Sequence, residues 1–188
     1  MRVIAGTAKR LPLKTVKGMD TRPTTDRIKE TLFNMIQNEL YDIRFLDLFA
    51  GSGAIGIEAL SRGARSAVFV ENNFLAVQCI KENLSFTRLD GKGSLMNTDV
   101  MTALGKLEGE GPFQIVFMDP PYGQEWEKKI LGYLRSSQVI NEDTLLIVEA
   151  DKGTGFAYLE EYGYNLLKRK EYKINAHIFI QRVKESRL

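Results

Sequence analysis

Apolar and polar positions along the chain follow two alternating patterns. Between Asp26 and Leu40, the residues Ile28, Leu32, Met35, Ile36 and Leu40 fall at three- and four-residue spacing, with Pro23 shortly before and Asp26 in the first turn, which predicts an amphipathic helix. From Phe45 the pattern changes to short apolar runs: Phe45 to Phe49, Ser66 to Val70, Ser94 to Met96, Gln114 to Met118 and Thr144 to Glu149. The stretches between them, 54–61, 74–84, 100–107 and 125–134, read as helices, and Phe74, Val77, Ile80 and Leu84 share one face. Strand-sized runs alternating with helices predict a parallel sheet with crossover helices. After Gly153 a short helical piece is expected over 156–162, then two further apolar runs, 164–167 and 174–180. The polar stretch between those runs is too short for a crossover, so the last two strands should pair antiparallel. Ahead of the first helix, Val3-Ile4-Ala5 and Leu11-Pro12-Leu13 suggest a small strand pair or an extended arm. The organisation expected is therefore a basic arm over 1–24 and one α/β domain over 25–188.

Composition narrows the chemistry. With 188 residues, 44% hydrophobic and 27% charged, the chain suits one globular domain with a real core. Cys79 is the single cysteine and His177 the single histidine, which excludes an internal disulfide, a thiolate zinc cage and any two-histidine mechanism. Cys79 fits a packing role in its helix, and His177, set among strand residues, fits a structural or surface role better than a catalytic one. No metal site is expected. The N-terminus lacks the apolar core of a signal peptide, and no run approaches the roughly 18 apolar residues of a membrane span, so a soluble cytoplasmic protein is expected. Residues 1–30 carry eight Lys/Arg against three Asp/Glu, and residues 165–188 carry seven against two, leaving the centre acidic. Basic ends around an acidic centre would suit a polyanion held at the margins of a site that is not itself basic, although solvated surface charge explains the same pattern.

The first chemical motif is Asp47-Leu48-Phe49-Ala50-Gly51-Ser52-Gly53-Ala54-Ile55-Gly56, a GxGxxG spacing placed after a strand and opening a helix. Glycines there allow a tight turn and close backbone approach, beside the unpaired N–H groups of a helix start. A nucleotide-like cofactor is expected. Asp47, just before the turn, would repel a pyrophosphate and attract an ammonium, which favours a cofactor with an amino acid moiety over NAD. Glu71, twenty residues after Gly51, stands where an acid can accept both ribose hydroxyls, with Asn72 beside it. Asp99 could accept from an adenine amine, cap the following helix, or do both.

The second motif is Asp119-Pro120-Pro121-Tyr122, at the end of the fourth predicted strand. The prolines stop the strand and fix the backbone. Asp119 then offers carboxylate oxygens and Pro120 a carbonyl, all acceptors, beside the ring of Tyr122. Such a pocket suits a planar ring with an exocyclic NH2 group, held by two hydrogen bonds and one stack.

With these residues in order, the chain resembles the class I S-adenosylmethionine-dependent methyltransferases that methylate amino groups. Arg22-Pro23-Thr24-Thr25-Asp26-Arg27-Ile28-Lys29-Glu30-Thr31-Leu32-Phe33-Asn34 further resembles the signature of the RsmD family of 16S ribosomal RNA guanine-N2 methyltransferases. The resemblance runs from Met1 to about Glu149 and weakens over Tyr172 to His177. It implies a Rossmann-like, mostly parallel seven-stranded sheet with helices on both faces. It implies S-adenosylmethionine as cofactor, held by Asp47, Gly51, Gly53, Glu71, Asn72, Asp99 and Asp119, with Asp119, Pro120 and Tyr122 as catalytic residues. It also implies 16S ribosomal RNA or an assembling small subunit as partner, contacted by Lys9, Arg10, Arg22 and Arg27, and a monomer that binds neither DNA nor membrane. Alternatives are a same-fold enzyme acting on DNA adenine or cytosine or on a protein glutamine, and a non-catalytic RNA-binding module.

Overall fold

The computed structural model describes residues 1–16 and 25–184. Its seven strands form one sheet in the order β3-β2-β1-β4-β5-β7-β6, and the chain divides into two compact units, Met1–Ala103 and Leu104–Leu188.

The first unit contains α1 (Asp26–Ile36), β1 (Arg44–Asp47), α2 (Ala54–Ser61), β2 (Ser66–Glu71), α3 (Phe74–Thr87) and β3 (Gly93–Asn97), and α4 (Val100–Leu107) begins at its end. Local chemistry sets the helix starts. The Thr25 hydroxyl accepts from Ile28 N–H at 3.3 Å, and Asn73 Oδ1 accepts from Leu75 and Ala76 N–H at 2.9 and 3.1 Å, each satisfying amides that a helix start leaves without partners. β1 and β2 pair in parallel from Arg44–Ser66 to Asp47–Phe69, and β2 and β3 from Ala67–Gly93 to Glu71–Asn97, so Asp47, Glu71 and the turn after β3 end at the carboxyl edge. Every residue of α2 is buried.

Residues 1–13 are knit to that helix. Glu58 of α2 accepts from the N–H groups of Ile4 and Ala5 at 2.8 and 3.0 Å and from Arg62 Nε at 2.7 Å, with Lys29 Nζ of α1 at 3.6 Å. Lys29, itself fully buried, donates to the Arg2 carbonyl at 2.6 Å. Between the two short runs the sequence suggested, pairing amounts to one antiparallel bridge, Arg2 to Pro12.

The second unit contains β4 (Ile115–Met118), α5 (Trp126–Leu134), β5 (Leu145–Asp151), β6 (Tyr164–Glu171) and β7 (Asn175–Arg182). β4 and β5 are parallel and β5–β7 antiparallel, and β6–β7 is antiparallel as the short connection between those two strands requires. Two expectations differ. Residues 156–162 form successive turns, not a helix; seven residues are too few to offset helix nucleation, and Gly155 and Gly163 bound the segment. β6 also runs on to Glu171, through residues expected to form a connection, because backbone pairing to β7 sustains this otherwise exposed edge strand.

Candidate active site

The glycine turn is built around three residues. Gly51 and Gly53 have φ of +54° and +79°, a region that disfavours side chains, and the space a Gly51 side chain would enter is open. Gly56 answers a different need, since a Cβ there would sit 2.3 Å from the Phe69 ring, so its absence lets α2 lie against β2. Asp47 is buried; its Oδ2 accepts from Gly56 N–H at 3.3 Å and its Oδ1 has no hydrogen-bond partner. Burial, followed by repulsion from Glu71, pushes the Asp47 carboxyl up to about 7, against the opposing Gly56 amide. A buried carboxylate oxygen without a donor fits a cationic ammonium group.

Glu71 does more than the sequence suggested. Its Oε2 accepts from Gly51 N–H and its Oε1 from Asn73 N–H, each at 2.8 Å, so it fixes the glycine turn while each oxygen retains capacity for a hydroxyl. Asn72 is exposed beside it. Asp99 caps α4, accepting from Thr102 N–H at 3.0 Å, and that backbone bond holds its carboxyl below the ordinary range. Asp47, Gly51 and Glu71 are thus joined by bonds or electrostatics, while Asp99 stands at the end of the neighbouring strand.

In the second unit, Asp119 follows directly on β4, partly exposed, with Pro120 buried. Tyr122 is 49% exposed, leaving ring surface open for stacking. Partial burial, then the charges of Asp119, Glu149 and Asp151, push its hydroxyl above the ordinary phenol range, opposed by the Asn175 amide. Phenolate chemistry is therefore disfavoured, and Tyr122 suits contact through its ring.

Lys9 and Arg10 are exposed at the turn of the N-terminal segment, and Arg27 is exposed on the first turn of α1. Arg22 lies outside the described residues. The sequence singled out neither Glu58 nor the buried Glu149 and Asn175, and it gave His177 a structural or surface role, of which burial leaves the structural one; a lone acid inside an otherwise apolar run, as in Leu145 to Ala150, was the available signal for Glu149. Among the described residues no group of His, Cys, Asp and Glu could hold a metal, and no helix is long and apolar enough to cross a membrane.

Comparisons with known proteins converge. A family model described as conserved hypothetical protein 95 matches residues 1–181. Ribosomal RNA small subunit methyltransferase D of Escherichia coli K12 is 36% identical over 157 residues, covering 82% of this chain and 77% of its own. YlbH of Bacillus subtilis strain 168, named as a candidate rRNA methyltransferase, is 41% identical, covering 91% and 92%. The solved structure of yhhF from Escherichia coli, described as a candidate methyltransferase, superposes with a TM-score of 0.86 at 32% identity, covering 98% and 99%. This sheet order, these motif positions and this extent of similarity place the chain in the RsmD family, the family of conserved hypothetical protein 95.

Proposed function

We propose that this protein transfers a methyl group from S-adenosylmethionine to the exocyclic N2 amine of a guanine in 16S ribosomal RNA. The observation that carries the reading is the Asp119-Pro120-Pro121-Tyr122 turn at the end of β4, an acceptor-lined corner with an exposed ring face, in a chain whose relatives include small-subunit rRNA methyltransferase D.

The buried Asp47 Oδ1 suits the cofactor's ammonium, the turn of Gly51 and Gly53, open at Gly51, admits its backbone-close portion, and Glu71 and Asp99 offer acceptors to ribose and adenine. Asn72 lies beside the ribose acceptor. When bound, the cofactor supplies a sulfonium methyl already activated for displacement. The amine is the weaker participant, because its lone pair is delocalised into the ring. Asp119 and the Pro120 carbonyl accept its two N–H groups, which turns the nitrogen lone pair toward the methyl and out of conjugation. Transfer would leave the S–C electron pair on the sulfur and one proton to lose from the nitrogen, and Asp119 stands by that proton. Tyr122 stacks on the base, which must leave its own stack to enter the corner.

Lys9, Arg10, Arg22 and Arg27 hold RNA phosphates, with residues 1–24 serving as the RNA-binding arm and 25–188 as the catalytic domain. A monomer in the cytoplasm, without DNA or membrane, completes the reading. The test is transfer of labelled methyl from S-adenosylmethionine to unmethylated small subunits, naked 16S RNA and DNA in parallel. Label in either ribosomal substrate is expected. Label confined to DNA, or absent from all three, overturns the proposal in favour of a same-fold enzyme on another amine or of a binding role.

A further inference from the structure

A buried polar cluster lies along one face of the sheet in line with the catalytic turn. β4 and β5 are in register through Met118 and Val148, so Asp119 and Glu149 each follow the last shared pair. On the other side of β5, Glu149 pairs with His177 and Asp151 with Asn175. Paired residues, and residues two apart in a strand, share a face, so Glu149, His177 and Asn175 project to the same side. Phe117, two residues before Asp119, meets the edge of the His177 ring at 6.2 Å, which shows that this face continues onto β4.

Glu149, Asn175 and His177 are only 3%, 5% and 0% exposed. Asn175 Nδ2 donates to Glu149 Oε1, and His177 Nε2 lies 3.0 Å from Glu149 Oε2. The Tyr172 hydroxyl is 3.1 Å from His177 Nδ1. The His177 ring is thus held at both nitrogens, Nε2 donating to the Glu149 carboxylate and Nδ1 facing the Tyr172 hydroxyl. Since a carboxylate accepts only from the NH2 end of an amide, Glu149 fixes which way Asn175 faces, and Asn175 Oδ1 is turned from it. That oxygen is buried and has no hydrogen-bond partner. An unmet buried acceptor is costly, and it calls for a donor that arrives with a ligand. Tyr122 senses Asp119, Glu149 and Asn175 together, so the acceptor belongs to the neighbourhood of the catalytic turn.

We propose that Asn175, oriented by Glu149, is a specificity-determining residue of the base pocket, its Oδ1 accepting the ring N1–H of guanine while Asp119 and Pro120 take the N2 amine. The inference rests on the methyl-transfer reading above. Its chemistry lies in the atom next to the amine. In guanine that ring nitrogen is a donor, whereas in adenine and cytosine it is an acceptor. An amide oxygen at that position therefore meets a donor in guanine and repels the lone pair of the other two bases.

The test replaces the methylated guanine of an RNA substrate with 2-aminopurine, which keeps the 2-amino group but has an unprotonated N1. With wild-type protein, kcat/KM on the 2-aminopurine RNA is expected to fall at least about 100-fold below that on the guanine RNA. Rates on the two RNAs within about threefold would overturn the proposal, and this arm requires no variant to fold. In Asn175→Leu, of similar size but without polar atoms, the preference for guanine should shrink below about tenfold; a preference still near 100-fold would likewise overturn it. That ratio is unaffected by a folding defect common to both substrates. Failure of the wild type to methylate the guanine RNA at all would overturn the activity, and this inference with it.

Discussion

Glu58 and Glu149 are both withdrawn from water, yet they keep different company. Glu58 meets two cations, Arg62 and Lys29, and two backbone amides of the N-terminal segment. Glu149 meets the Asn175 amide and the His177 imidazole, and its charge is felt at Tyr122. In the first cluster the donors other than Arg62, which lies one turn on from Glu58, fasten elements together: α1, α2 and residues 4 and 5 are joined through one carboxylate. The second orients an amide whose own oxygen remains unmet. Burial of an acid is thus no guide to its role, whereas the completeness of hydrogen bonding among its partners is.

Removing each acid should separate the two roles most sharply. Glu58→Ala leaves Lys29 buried without its carboxylate and two amides without an acceptor, so the unfolding free energy in urea should fall by about 3–5 kcal/mol. A loss below about 1 kcal/mol would mean that the clasp does not stabilise the fold. Glu149→Gln keeps one acceptor and should cost only about 1 kcal/mol, with its larger effect on substrate choice. Next in size is Asp119→Ala, for which kcat should drop about 100- to 1000-fold while the unfolding midpoint stays close to wild type, since the residue is partly exposed after the end of β4.

A third acid, Asp47, extends the comparison through pH. With its carboxyl raised to about 7, it is largely protonated at pH 6 and ionised at pH 8, so affinity for the ammonium-bearing cofactor should rise about tenfold between them in calorimetry. Folding carries the opposite sign. In the unfolded chain Asp47 titrates near 4, so its contribution to stability is full below that pH and is lost as pH rises through about 7. Asp47→Asn should flatten both profiles. The smallest effect is expected at the surface, where Lys9→Ala with Arg10→Ala should weaken RNA binding several-fold, lower the slope of log affinity against log salt by roughly 1.5, and leave cofactor binding intact.

Much of this fold can be read from spacing alone. α2 and α4 begin and end where their apolar periodicity does, and the carboxyl-edge positions of Asp47, Glu71 and Asp119 follow from motifs placed at strand ends. The polar half of β6 could not be read this way, because an edge strand held by backbone pairing to β7 needs no hydrophobic alternation. The turns over 156–162 were obscured for the converse reason, since helical spacing in seven residues does not stabilise a helix. Apart from Arg62, one helical turn on from Glu58, the partners of Glu58 come from segments 29 to 54 residues away and those of Glu149 from 26 to 28 residues away, so no local pattern announces either cluster in full. Glu71 illustrates the intermediate case, its position legible from the glycine spacing and its bond to Gly51 N–H visible only in the structure.

The central claim is tested most directly by digesting 16S RNA that the wild-type protein has methylated with labelled cofactor and identifying the labelled nucleoside by mass spectrometry. The account predicts label in N2-methylguanosine, at one position of the RNA, and none when Asp119→Ala replaces the wild type for the same period. Label in methylated adenosine or cytidine, or in guanosine methylated at a ring nitrogen, would contradict it.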